Sequence, residues 1–235
     1  MTSDWSKAHE VASPAEFDSV AGNYEELHAQ SIRVTGEQPE YFAAYKASYI
    51  ARLLPSRPCR VLDYGCGIGM LAHHLKRTVS EVQIDGFDPS SASLARVRQE
   101  LLAQGVFTSD LKLLGNRYDL IVIANVLHHV KPSERMELIS EVASRLAPGG
   151  LLVIFEHNPA NPLTRRAVSQ CAFDGDAILL WPRETRRYVR NLKLEARRDY
   201  IVFFPRRLAA LRRFEALLRW CPLGAQYAMV GWRTT

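Results

Sequence analysis

The feature that constrains this chain most is a glycine-rich turn that follows a short apolar run and precedes a helical stretch. Segment 61–69 reads VLDYGCGIG, so that Gly65, Gly67 and Gly69 alternate with other residues. Glycine at such a turn lets the backbone approach a ligand closely, and the next helix begins with free N–H groups. Dinucleotide-binding turns favour GxGxxG, whereas this turn reads GxGxG and is preceded by Asp63. The turn therefore predicts a ligand site that differs from the dinucleotide fingerprint.

A carboxylate follows the next predicted strand. It is Asp88, in the sequence GFDPS, with Pro89 and Ser90 behind it and Gly69 19 positions before it. A carboxylate at this place accepts hydrogen bonds from two ribose hydroxyls, which is how doubly wound folds hold nucleoside cofactors. The glycine turn and Asp88 together therefore predict a nucleoside cofactor more strongly than either does alone.

Strands and helices alternate along most of the chain. Strands are predicted near 61–62, 82–87, 106–107, 118–124, 151–155, 200–204 and 226–232, and helices near 70–77, 91–104, 133–146, 184–192 and 206–220. Near-continuous apolar strands that alternate with helices favour a mostly parallel sheet covered on both faces. The pattern predicts an α/β fold, a doubly wound, mostly parallel seven-stranded sheet, with residues 1–45 as a helical N-terminal extension. No linker divides residues 1–235, so we expect a single domain.

Composition excludes several classes of protein. The length of 235 residues suits one α/β domain, and 47% hydrophobic with 23% charged residues excludes a disordered or fibrous chain. No apolar run reaches the roughly 18 residues of a membrane span, and the opening MTSDW lacks the pattern of a signal peptide, which predicts a cytoplasmic protein. Four cysteines without a CxxC pair favour reduced thiols over a disulfide framework or a zinc cluster, and we expect no metal.

Charge is distributed unevenly along the chain. Residues 1–150 carry 15 Lys and Arg against 18 Asp and Glu, whereas residues 151–235 carry 15 against 7. The bias indicates an anionic partner, whether phosphate, nucleic acid or a membrane surface. The basic segment 206–220 is predicted to place four apolar side chains near one face at helical spacing, Leu208, Leu211, Phe214 and Leu218. This helix either makes peripheral contact with the inner face of a membrane or packs its leucines on the sheet.

Several motifs in order resemble those of the class I S-adenosylmethionine-dependent methyltransferases. The matching stretches are VLDYGCGIG at 61–69, GFDPS at 86–90, RYDLIV at 117–122, NVLHHV at 125–130 and LAPGGLL at 146–152. The resemblance covers about residues 58–157 and extends through the helix and two strands at the C-terminus. It implies a Rossmann-like methyltransferase fold and S-adenosylmethionine as cofactor. By the same resemblance 1–45 forms a lid, 58–157 the cofactor-binding core and 158–235 the substrate side.

The resemblance also implies a set of cofactor-binding residues. The expected residues are Asp63, Gly65, Cys66, Gly67, Gly69, Asp88, Pro89, Ser90, Asp110, Asn125 and Val126. Among them the three glycines line the methionine and ribose portion, Asp88 holds the ribose diol, and Asn125 with Val126 borders the methionine side. Asp110 is the candidate for the adenine amino group. Two alternatives stay open: Asp63 binds only N–H groups of the turn, and the thiol of Cys66 fills space.

Candidate catalytic residues follow the fourth and fifth predicted strands. Methyl transfer from a sulfonium is an in-line displacement with a good leaving group, so alignment and exclusion of water matter most. A hydroxyl acceptor in addition needs a base, and histidine suits neutral pH. His128, His129 and His157 lie where ligands bind in doubly wound folds, and Glu156 is expected to orient His157 or to bind substrate. The alternative is that these residues pack, cap or shape the loop.

The acceptor is the least determined part of the function. Tyr24, Tyr41, Glu156 and Asn158 are weak candidates for substrate contacts, and helical packing of the tyrosines is the alternative. We expect a small-molecule, sugar or lipid-linked acceptor, methylated directly on oxygen. Two other functions remain open: methylation of RNA or DNA, for which no separate binding module is visible, and a non-catalytic role as a partner protein that binds S-adenosylmethionine.

Overall fold

The computed structural model describes residues 36–54, 59–171 and 177–233. Most of the predicted N-terminal lid, including Tyr24, lies outside these ranges. Among the described residues, no helix is long and apolar enough to span a bilayer.

A seven-stranded sheet organises the described residues, in the order β3-β2-β1-β4-β5-β7-β6. The strands are β1 (Cys59–Tyr64), β2 (Val82–Phe87), β3 (Phe107–Thr108), β4 (Tyr118–Ala124), β5 (Leu146–His157), β6 (Glu195–Ile201) and β7 (Gln226–Trp232). Strands β1 to β5 pair in parallel, whereas β7 runs antiparallel to both β5 and β6. The predicted doubly wound, mostly parallel sheet is therefore confirmed, with β7 as the reversed strand.

Helices connect the strands and cover the sheet. They are α1 (Pro39–Ala51), α2 (Met70–Thr78), α3 (Ser91–Leu94), α4 (Gln99–Leu102), α5 (Arg135–Ala143), α6 (Pro162–Ser169) and α7 (Pro182–Asn191). The single helix predicted over 91–104 is wrong, because Arg98 has extended backbone angles and separates α3 from α4. The helix predicted over 133–146 is shorter than expected, since Leu146 already belongs to β5.

The last third of the chain departs most from the prediction. The strand expected at 200–204 occupies Glu195–Ile201 and ends before Val202, whose φ is +59°. The α-helix expected over 206–220 is instead a run of 3₁₀ turns over Arg206–Leu218, with non-helical angles at Leu208. Leu208, Leu211 and Phe214 are exposed, whereas Leu218 is half-buried.

Alternate side chains of the central strands enter two apolar cores. Val61, Val122 and Val153 point to the face that α1 and α2 cover, and their neighbours Leu62, Ile121 and Ile154 point to the face that α5 and α7 cover. This period of two over fully buried strands is the packing of a parallel sheet between helices. The arrangement brings the carboxyl ends of β1, β2, β4 and β5 to one edge, where the candidate site lies.

Candidate cofactor and methyl-transfer site

The glycine turn follows β1 and adopts left-handed backbone at all three glycines, with φ of +78° at Gly65, +52° at Gly67 and +76° at Gly69. A Cβ on Gly65 would lie 2.2 Å from a methyl carbon of Val126, whereas a Cβ on Gly67 would meet nothing within 4 Å. Gly65 is thus required by packing against the β4 end. Gly67 leaves open space above the turn, in which a ligand can approach the backbone.

The carboxylate of Asp88 lies directly against this turn. Its Oδ2 accepts a hydrogen bond from the Gly67 N–H at 2.7 Å, and its Oδ1 accepts one from the Ser90 N–H at 2.9 Å. Ser90 is itself buried and caps α3 by accepting from the Ser93 N–H. Asp88 is half-buried at the end of β2, where the sequence predicts the ribose-binding carboxylate.

Asp63, the penultimate residue of β1, is buried with incomplete hydrogen bonding. Only 2% of the residue is exposed, and Oδ2 has no hydrogen-bond partner among the described residues. Burial, together with the nearby charge of Asp88, raises the pKa of Asp63 to about 7, against the opposing effects of Lys46 and of a bond from the Ala72 N–H. One oxygen of this carboxylate therefore lacks a partner among the described residues, which is costly for a desolvated group. The role of Asp63 towards the cofactor stays a prediction.

Lys46 is a site residue that the sequence analysis missed. It lies on α1, is 8% exposed, and its Nζ donates to Oδ1 of Asn125 at 3.1 Å. Burial lowers the pKa of Lys46 to about 8, although Glu156 and Asp63 act in the opposite direction. The available signal was a single lysine within the otherwise apolar and aromatic stretch YFAAYKASYIA.

Asn125 links Lys46 to His157. Asn125 has a φ of +58°, and its Nδ2 lies 3.2 Å from Nε2 of His157. Because the lysine side chain donates and does not accept, the amide oxygen of Asn125 must face Lys46 and the amide N–H₂ must face His157. Nε2 of His157 is therefore the accepting, unprotonated ring nitrogen. The chain Lys46–Asn125–His157 joins α1, β4 and β5 at the edge next to the glycine turn.

A second polar pair lies behind this chain. Glu156 is fully buried and accepts from the Leu127 N–H at 2.8 Å, and its other oxygen lies 2.6 Å from Nδ1 of His128. Burial acts to raise the pKa of Glu156, but His128 foremost, with His157 and the Leu127 N–H, lowers it below its ordinary value. The expectation that Glu156 orients His157 is wrong, because its partner is His128, which is only 2% exposed.

The other predicted residues lie at different depths. The buried Cys66 has a pKa well above its ordinary value, because of burial first and of Asp63 and Asp88 next, so its thiol stays protonated and fills space under Gly86. Pro89 lies between Asp88 and the cap of α3. His129 is half-buried with its ring centroid 4.2 Å from that of His128.

Two predicted residues make contacts of a structural kind. Asp110 is exposed at the end of β3, and its Oδ1 accepts from the Lys112 N–H at 2.9 Å. Its role towards adenine stays a prediction. Asn158 is fully buried, and its Nδ2 donates to the carbonyls of Pro222 and Gly224, which ties the loop after β5 to the segment before β7. This is the loop-shaping role that the sequence analysis kept as an alternative.

A separate cleft of about 400 Å³ lies between α1 and the 3₁₀ segment. Tyr41, Tyr45 and Tyr49 line one side of it, and Arg212 and Arg219 line the other. The guanidinium of Arg212 lies 4.2 Å from the centre of the Tyr41 ring. Tyr41 thus contributes to this cleft, and its expected contact with the substrate stays a prediction.

The sheet order, the glycine turn and the carboxylates of Asp63 and Asp88 beside it are together the features of a class I methyltransferase of Rossmann-like fold. The sequence model of a family described as methyltransferase domain matches residues 38–207, which include every strand from β1 to β6. The chain therefore belongs to this methyltransferase family.

Curated relatives share part of this chain. A ubiquinone biosynthesis O-methyltransferase of Rhizobium leguminosarum bv. trifolii is 29% identical over 196 residues, 78% of this chain and 73% of that protein. One of the same name from Rhizobium etli is 29% identical over 149 residues, and the chain spans 57% of its length. An uncharacterised protein of Synechococcus is 32% identical over 105 residues, a quarter of its length.

Solved structures share the fold at low sequence identity. Magnesium protoporphyrin IX methyltransferase from Synechocystis, solved with bound SAH, aligns with a TM-score of 0.67 and 16% identity over 94% of this chain and 98% of that chain. A SAM-dependent methyltransferase from Archaeoglobus fulgidus aligns with a TM-score of 0.67 and 17% identity over 90% of this chain and 100% of that chain. These likenesses confirm the predicted fold class.

The residues of the site fit S-adenosylmethionine. The open space above Gly67, the half-buried Asp88 and the unpartnered oxygen of Asp63 supply a close backbone approach and two acceptors. Lys46 supplies a buried cation beside them. The cofactor carries hydroxyls, an ammonium and a carboxylate, and this donor and acceptor set matches those groups.

Proposed function

We propose that this enzyme methylates an oxygen atom of a small-molecule acceptor, with His157 as the base. The observation that carries the proposal is the chain Lys46–Asn125–His157 beside the glycine turn. It ends in a histidine whose Nε2 is held as an acceptor, and a hydroxyl acceptor needs such an atom to receive its proton. The name O-methyltransferase given to the curated relatives supports oxygen as the acceptor atom.

The chemistry requires little of the protein besides alignment and proton transfer. Bound S-adenosylmethionine supplies a methyl group on a positively charged sulfur, which keeps the electron pair of the broken carbon–sulfur bond and becomes a neutral thioether. The acceptor oxygen forms the new bond to the methyl carbon, and its proton passes to the lone pair of Nε2 of His157 after the hydroxyl has replaced the Asn125 N–H at that nitrogen. Until then Asn125 holds the ring through Nδ2, and Lys46 fixes Asn125 in turn.

The buried groups around His157 also help to align the acceptor. Glu156 and His128 lie directly behind His157, with 5.1 Å between the two imidazole centroids. The buried pair of Glu156 and His128 makes this wall of the site rigid and keeps it polar, so water is replaced by fixed groups. We propose His128 as a positioning residue, because it is too deeply buried to touch an acceptor.

The test is His157→Asn, assayed for transfer of labelled methyl groups from S-adenosylmethionine to a panel of hydroxylated aromatic compounds and their amino analogues. We expect kcat to fall by about 10² to 10⁴ while affinity for the cofactor stays within about threefold, because a general base contributes to the chemical step. His74→Asn is the matched control, since His74 lies on α2 outside this chain of contacts. Unchanged kcat in His157→Asn, or methylation of the amines alone, contradicts the proposal.

A further inference from the structure

The 3₁₀ geometry of the segment 206–218 changes which side chains share a face. A 3₁₀ helix has about three residues per turn, so side chains at i and i+3 lie in line. The side chains in line are Leu211, Phe214 and Leu217, with Leu208 before them at a kink with non-helical angles and Trp220 in the turn that follows. All five are exposed, from 39% at Leu211 to 73% at Trp220. We call this row the apolar edge.

The opposite side of the segment is anchored, which fixes the direction of the apolar edge. The buried carboxylate of Glu215 accepts from the N–H groups of Phe203 and Phe204 at 2.9 and 3.1 Å. Nε of Arg212 donates to the carbonyl of Phe204, and its guanidinium pairs with Glu37. The segment is therefore held by its inner side, and the exposure of the edge is a property of the fold.

Three exposed arginines flank the apolar edge. Arg206, Arg207 and Arg213 are exposed, and none of them forms an ion pair with a described carboxylate. The guanidinium of Arg213 lies 4.8 Å from the ring centre of Phe214, so charge and apolar surface are adjacent. The acidic residue within the segment, Glu215, points inwards. Within segment 206–220, as the structure describes it, the outward side chains thus combine large apolar groups with positive charge alone.

We propose that the apolar edge docks the enzyme on an anionic lipid surface. Exposed Leu, Phe and Trp side chains enter the headgroup region, and flanking arginines bind lipid phosphates in bidentate fashion. Charge complementarity favours lipid over a second copy of the chain, because two copies would bring these unpaired arginines together. The proposal does not depend on the identity of the acceptor.

The test is co-sedimentation with vesicles of phosphatidylcholine alone or mixed with phosphatidylglycerol. We expect the wild-type protein to bind the mixed vesicles, and binding to weaken with added salt. The variant Leu217→Ser with Trp220→Ser should weaken binding about tenfold or more, because apolar insertion is lost. Leu163→Ser with Trp181→Ser is the matched control, since those residues are 61% and 56% exposed outside the apolar edge. Arg207→Glu with Arg213→Glu should abolish the preference for the anionic lipid.

Three results would overturn the proposal. The first is that the wild-type protein does not bind mixed vesicles. The second is that Leu163→Ser with Trp181→Ser weakens binding as much as Leu217→Ser with Trp220→Ser does. The third is that Leu217→Ser with Trp220→Ser dissociates a dimer while the wild type binds no vesicles. Thermal unfolding of each variant shows that it is folded, which is expected because the changed side chains are exposed. A blue shift of fluorescence on vesicle binding that is absent in Trp220→Phe supports insertion directly.

Discussion

Two buried carboxylates mark the two regions that meet in this site, and their environments are opposite. Asp63 is the penultimate residue of β1, in the glycine-turn region, and Glu156 is the penultimate residue of β5, in the histidine region. Burial raises the pKa of Asp63 to about 7, whereas contacts with His128 outweigh burial and lower the pKa of Glu156. The fold thus supplies both oxygens of Glu156 with partners and leaves one oxygen of Asp63 without a partner among the described residues.

This difference separates scaffolding from binding within one edge of the sheet. A buried charge with complete partners contributes to a rigid wall, and removing a partner is costly. A buried charge with an unpartnered oxygen costs stability until a ligand arrives, and such strain is typical of binding sites. The histidine region is therefore expected to matter most for stability, and the glycine-turn region most for cofactor affinity.

The largest effect is expected from Glu156→Leu. It leaves His128 and the Leu127 N–H buried without their partner, so the free energy of unfolding should fall by about 3–5 kcal/mol. Denaturant titration measures this change. Because the pKa of Glu156 is lowered, its stabilisation is present above the ordinary value of 4.5 and is lost as the pH falls below it.

The control for this prediction is Glu195→Leu, at an exposed position on β6. Its effect should stay within about 0.5 kcal/mol. If Glu156→Leu is as stable as this control, Glu156 does not act as scaffolding and the contrast with Asp63 fails.

The next effect concerns the turn itself and compares Gly67→Ala with Gly149→Ala. Both glycines have positive φ, +52° and +76°, and a Cβ on either would meet nothing within 4 Å. Each substitution should therefore cost a similar amount of stability, about 1 kcal/mol. Only Gly67→Ala places a methyl group where the cofactor approaches the backbone, so it should weaken cofactor binding about 100-fold, or about 2.7 kcal/mol. Equal cofactor affinity of the two variants in calorimetry would refute the turn as the binding surface.

The smallest effect is the pH dependence due to Asp63. Its raised pKa means that the folded state binds the proton more tightly, so the cost of its charge is absent below pH 3.8 and complete above about pH 7. Asp63→Asn should therefore raise the free energy of unfolding at pH 8 by about 1–3 kcal/mol. The decrease of this free energy between pH 3.8 and about pH 7 should be smaller in the variant than in the wild type. The affinity of the wild type for the cationic cofactor should increase as the pH rises through 7, and that of the variant should not.

The test is to measure the free energy of unfolding and the cofactor affinity of the wild type and of Asp63→Asn over this pH range. A variant that is less stable than the wild type at pH 8 would show that the Asp63 carboxylate is satisfied within the fold.

The sequence predicts the glycine-turn region well because its determinants are local. Gly65, Gly67 and Asp88 lie in a turn and at a strand end, and each position follows from the strand–turn–helix pattern. The bond between Asp88 and the Gly67 N–H then follows from the parallel pairing of β1 with β2.

The histidine region is predicted less well because it depends on distant contacts. Lys46 reaches Asn125 across 79 positions, and no periodicity announces such a contact. Glu156 has two candidate partners, His128 and His157. The bond goes to His128, and this choice depends on how β4 and β5 pair, which the sequence does not show. The helical pattern of segment 206–220 likewise predicts an α-helix where the structure has 3₁₀ turns, and the bond from the Phe203 N–H to Glu215 that anchors this segment is not visible in that pattern.

Calorimetric titration with S-adenosylhomocysteine, performed on the wild type and on Asp88→Ala, tests the central claim most directly. The account predicts a micromolar Kd for the wild type and a loss of about tenfold or more in the variant, equal to about 1.4 kcal/mol or more. Equal affinity in the two proteins, or no binding by the wild type, would contradict the assignment of the cofactor site to the glycine turn and the end of β2.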